Sequence, residues 1–79
     1  MDEKRNSHRK RVLKAGTIEF HGGAIDCVIR NLSDTGAALE VESVVGVPAE
    51  FTLVVRADDL ARKCRVVRRE NKRLGVRFE

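Results

Sequence analysis

Two clusters in the chain bring together residue types suited to molecular recognition. Near the start, Arg5-Asn6-Ser7-His8-Arg9 spaces two arginines as RxxxR, and Arg11 follows closely. In the interior, Asn31-Leu32-Ser33-Asp34-Thr35-Gly36 reads as an NxSxxG turn that closes one β-pattern and opens the next. A guanidinium offers planar donors that match the paired acceptors of a phosphate or the O6/N7 edge of guanine. The turn adds an amide at Asn31 and a hydroxyl at Ser33, and Gly36 leaves a backbone that another group can approach closely. Together these residues imply a pocket for an anionic, guanine-bearing ligand.

Catalysis has no comparable support. No Ser-His-Asp or Cys-His set is placed by a motif, no carboxylate pair falls in an apolar setting, and no phosphate-binding P-loop occurs. Ser33 has no identifiable base beside it, and His8 and His21 read as solvent-exposed side chains. The chain is therefore expected not to be an enzyme. Cys27 and Cys64 lie far apart, without a CxxC pair and without histidine at metal-ligand spacing. Neither a metal nor a cofactor is expected. Both cysteines fall within apolar alternation and are expected as reduced core thiols.

Size and composition bound the rest. Seventy-nine residues make one small domain, 42% hydrophobic and 35% charged, which excludes a disordered tail. No apolar run approaches the roughly 20 residues of a spanning helix. The start is charged from Asp2 onward and lacks the apolar stretch of a signal peptide, so a cytoplasmic location without membrane contact is expected. The net charge of +4 sits in residues 1–14, where Lys4, Arg5, Arg9, Lys10, Arg11 and Lys14 face only Asp2 and Glu3. Residues 15–79 carry ten bases and ten acids. A basic leader on a neutral body is suited to meeting phosphate.

The elements that must hold these clusters follow from a period of two along most of the chain. Thr17 to Phe20 alternates, His21-Gly22-Gly23 turns, and Ala24 to Arg30 alternates again. After the NxSxxG turn, Ala37 to Glu42 alternates. Val44 to Ala49 holds Gly46 and Pro48 and reads as a connection. Phe51, Leu53 and Val55 share a face, and Asp58-Asp59 breaks the pattern. Ala61 to Arg69 forms an arginine-laced strand whose alternation slips at Val66-Val67, as at a bulge. Glu70-Asn71-Lys72 turns, and Leu74 to Phe78 closes the pattern.

The expectation is an all-β fold: a small six-stranded antiparallel split β-barrel over residues 13–79, preceded by a flexible basic leader over residues 1–12. Its expected core is Ile18, Phe20, Ile25, Cys27, Ile29, Leu39, Val41, Phe51, Leu53, Val55, Val66, Val76 and Phe78.

RxxxR before the first strand, followed by NxSxxG between the second and third, resembles the PilZ domain family. The likeness spans nearly the whole chain, including the closing Leu74-Gly75-Val76-Arg77-Phe78. It implies a receptor for the bacterial second messenger cyclic di-GMP. Arg5 and Arg9 would grip phosphates and guanine edges, with Arg11 as an extra phosphate contact. Asn31 would meet polar edges of guanine, Ser33 would donate to ligand oxygens, and Gly36 would let a base come close. The signal would pass to a downstream protein through ordering of the leader. Two other readings remain. One is a small basic barrel that binds RNA or single-stranded DNA by charge. The other is a PilZ-like interaction module that no longer binds nucleotide.

Overall fold

A computed structural model gives the fold; it describes residues 9–79, and side chains from Leu13 onward. Six antiparallel strands follow in order: β1 Arg9–Phe20, β2 Gly23–Ser33, β3 Gly36–Glu40, β4 Glu50–Val55, β5 Leu60–Glu70 and β6 Arg73–Phe78. A 3-10 turn at Arg56–Asp58 links β4 to β5. The strands close into a barrel in the order β1-β2-β3-β6-β5-β4. The expected six-stranded barrel is therefore the fold of the chain.

The turns arise where the sequence supplies the needed backbone. Gly22, with φ of 107°, carries the β1–β2 hairpin, and Asn71, with φ of 52°, carries β5–β6. Asn tolerates the left-handed region better than most side chains, because its short polar group finds local partners.

Alternate residues of each strand point inward. Ile18, Cys27, Ile29, Leu39, Val41, Phe51, Leu53, Val55 and Val76 are buried as expected. Cys64 is buried as well, as expected of a core thiol, and Val47 and Leu74 join them, so the β3–β4 connection and the start of β6 also feed the core. Phe20, Ile25, Val66 and Phe78 pack against this core half-buried.

Three register shifts shape the barrel. One adds a residue to β5 between Val66 and Arg68, at the expected slip, and turns Val67 outward to 57% exposure. The other two meet at Arg30: β1 gains a residue between Arg11 and Lys14, and β2 gains one between Ile29 and Asn31. There the outer surface bends next to the NxSxxG turn.

β1 begins at Arg9, ahead of the expected start of the barrel at residue 13. Its backbone pairs Arg9 with Ser33, Lys10 with Leu32 and Arg11 with Asn31. The ladder to β2 extends strand structure into a run of bases that has no apolar alternation of its own.

Burial pushes the Cys27 and Cys64 thiols up to about 11 from an ordinary value of 9.0, and the Asp26 carboxylate adds to the effect at Cys27. The unfolded chain ionises these thiols first, so the fold keeps their contribution below pH about 9 and loses it as pH rises toward about 11. Urea unfolding of the parent should lose more stability between pH about 8 and about 10.5 than a Cys27→Ala/Cys64→Ala variant. The excess should be on the order of 1 kcal/mol per thiol. Equal losses would show that the thiols ionise alike in both states.

Candidate functional site

The NxSxxG turn is held together from within. Ser33 Oγ accepts from the backbone N–H groups of Thr35 at 3.3 Å and Gly36 at 3.2 Å. It lies 3.3 Å from the Gly36 carbonyl oxygen, to which it can donate, and 3.4 Å from Thr35 Oγ1. A hydroxyl has one proton and two lone pairs, so the turn itself occupies this group. Such side-chain-to-backbone bonds two and three residues ahead are what make serine a turn residue.

Gly36 has an equally local reason. A Cβ built there would run into the Val76 carbonyl oxygen and come within 3.3 Å of Arg77 Cα. The close approach that the missing side chain permits is that of β6. Gly36 pairs with Arg77 across this ladder, and the Phe78 N–H donates to the Thr35 carbonyl at 2.8 Å. Ser33 shapes the turn, Gly36 lets it lie against β6, and the closing strand fixes it.

Asn31 is placed differently. It is half-buried, pairs with Ala38 on β3, and lines a depression of about 430 Å³ with Leu13, Arg30 and Arg73. No hydrogen bond engages its amide among the described residues. Two guanidinium groups flank it. Arg30 holds Glu40 at 2.9 Å, and Arg73 reaches the same carboxylate oxygen at 3.9 Å. The depression thus presents an amide and two arginines tethered by one acid. Arg9 and Arg11 stand opposite Ser33 and Asn31 by backbone register, whereas Arg5 lies outside the described residues.

The zero net charge of residues 15–79 hides a partition. Residues 60–79, which form β5 and β6, carry eight bases against two acids. Residues 15–59 carry two bases against eight acids. Arg65 is tied to Glu50 at 2.8 Å and Glu79 at 3.3 Å, and Arg69 donates to the Val44 carbonyl at 3.2 Å. Lys63, Arg68 and Arg77 have no ion-pair partner among the described residues. Sequence reading missed Arg30 and Arg73 as neighbours of Asn31, because a bulge and a cross-barrel ladder bring them there. Arg73 sits beside the site because β6 pairs with β3.

A family model for the PilZ domain matches residues 3–79. The chain belongs to the PilZ domain family. PilZ domains are ligand-binding receptor domains, generally for cyclic di-GMP, and are not catalytic. Among curated proteins, no sequence matches the chain. Among the described residues, no helix is long and apolar enough to cross a membrane.

The local roles of the turn residues separate in their expected effects on the ligand-free domain. Ser33→Ala should cost about 1 kcal/mol, lowering Tm by roughly 4–8 °C in a domain of this size. Gly36→Ala should cost roughly 1–3 kcal/mol through overpacking against β6. Asn31→Ala should leave Tm unchanged. Thermal melts without nucleotide read all three, and equal stability of the Gly36 variant would refute the β6 contact.

Proposed function

We propose that this PilZ domain binds cyclic di-GMP at the junction of its N-terminal arm and the β2–β3 turn. In this reading, Arg5 and Arg9 grip phosphates and guanine edges, Arg11 adds a phosphate contact, and Asn31 reads a polar edge of the base. The β1–β2 register carries the proposal: it sets Arg9 and Arg11 opposite Ser33 and Asn31, so the two motif halves meet on one ladder. Asn31 supports it as an amide with no hydrogen bond among the described residues, beside two guanidiniums. Ser33 and Gly36 enter as residues that preform the turn, since their polar and steric capacity is already used by the fold. The ligand is a signal, and no metal, cofactor or reaction is involved.

Relay follows from the arm. Residues ahead of β1 order over the bound dinucleotide and present a changed surface to a downstream protein. Fixing each residue costs roughly 1–2 kcal/mol of backbone entropy. Charge-assisted hydrogen bonds of about 1.5–3 kcal/mol each must offset that cost.

A second reading draws on the cationic β5–β6 hairpin, which could meet RNA or single-stranded DNA by charge. It lacks stacking partners: Phe51 is buried, Phe20 and Phe78 pack against the core, and Arg62 covers the Phe78 ring at 4.3 Å. Binding by charge alone would weaken steeply with salt.

Titration calorimetry with cyclic di-GMP, GTP and a single-stranded oligonucleotide separates the readings. Saturable binding is expected for the first ligand only. Arg5→Ala and Arg9→Ala should each weaken it roughly ten- to a hundredfold while the barrel stays folded. Parent-like affinity in both variants would contradict the proposal, and salt-sensitive oligonucleotide binding would favour the second reading.

A further inference from the structure

β2 has eleven residues and β3 only five. The β2–β3 ladder therefore ends at Val28 opposite Glu40. Beyond Glu40 the chain follows the other side of the barrel, where the Val41 N–H donates to the Lys72 carbonyl at 2.9 Å. Residues 24–27 of β2 pair with β1 and with no other strand among the described residues. Alternate N–H and C=O groups along this stretch thus face an open edge.

The edge borders two adjoining depressions, of about 470 and 420 Å³, which share Asp26 and Glu42. The strand pattern sorts their lining. Ile25 and Val41 lie toward the core, half-buried and buried. Asp26 and Glu42 alternate with them and are exposed, with no ion-pair partner among the described residues. Val28, at 41% exposure, and Val45, at 84%, flank the gap as exposed apolar side chains.

We infer that this gap is a docking site for an extended segment of a partner protein in which basic and apolar residues alternate. Such a segment adds to β2 as a strand through main-chain hydrogen bonds, with its side chains conferring selectivity. Its inward residues cover Ile25 and Val41, and its outward residues set ammonium or guanidinium groups between Asp26 and Glu42. Charge selects the occupant: Asp26, Glu40 and Glu42 border the gap against Arg30, whose charge Glu40 already meets at 2.9 Å, and Lys72, so the two carboxylates without a partner among the described residues set its sign. An acidic segment would place like charges side by side at both positions, which is unfavourable across a strand pair. None of the proposed ligand contacts, Arg5, Arg9, Arg11 and Asn31, lines the gap; the two sites share only the Arg30–Glu40 pair at their border.

The test uses the full chain labelled with 15N and a capped peptide of alternating Lys and Val, with an alternating Glu and Val peptide as control. The Lys peptide should shift the amides of residues 24–27 and 42–45 and slow hydrogen exchange along residues 24–27. The Glu peptide should do neither. Asp26→Lys/Glu42→Lys should weaken the Lys peptide at least tenfold without lowering Tm, since both positions are exposed. Three results would overturn the inference: equal binding of both peptides, no binding of the Lys peptide, or shifts elsewhere on the barrel. Concentration-dependent shifts of the same amides without peptide would also overturn it, by assigning the gap to a second copy of the chain.

Discussion

The contact on which the site depends is the packing of β3 on β6 at Gly36. No side chain fits between Gly36 and the Val76 carbonyl, so the turn lies directly against the closing strand. Ser33 then folds the turn back on itself through two accepted N–H bonds. The turn's outer surface is thereby fixed before any ligand arrives, and fixed donors and acceptors bind without further ordering cost. Rigidity on this side is what an arginine-bearing arm would close against.

Charge supplies a second constraint. Residues 15–79 are neutral in sum yet polar in arrangement, with the cationic excess in residues 60–79, which form β5 and β6, and the acidic excess in residues 15–59. Arg73 reaches the Asn31 depression from the cationic side and shares Glu40 with Arg30. Glu40 thus positions two guanidiniums that would otherwise repel each other. Positive charge near Asn31 thus comes from β6 through Arg73 as well as from Arg30 on β2.

Much of the fold was legible because inward and outward residues alternate so regularly. All six strands, the glycine hairpin at Gly22, the Asn71 turn and the slip at Val66-Val67 follow from that period and from turn chemistry. The start of β1 was not legible. Arg9, Lys10 and Arg11 have no apolar alternation, and only the ladder to residues 31–33 defines them as strand. Val47 and Leu74 escaped the expected core for a similar reason: a connection residue and a strand terminus are buried by what folds over them. In the site, the residue types of the NxSxxG turn were visible, but their division of labour was not. That Gly36 yields to β6 and that Ser33 serves the turn depend on contacts distant in sequence or on hydroxyl geometry. The open edge of β2 is likewise invisible without knowing where β3 departs.

In the proposed reading, the start of β1 and the β2–β3 turn act as one ligand-binding unit on a preformed barrel. Titration of the 15N-labelled chain with cyclic di-GMP tests this most directly. The largest amide shifts should fall on residues 9–11 and 31–36, with core amides such as that of Leu53 unmoved. Shifts confined to other parts of the barrel, with those two segments silent at saturation, would contradict it.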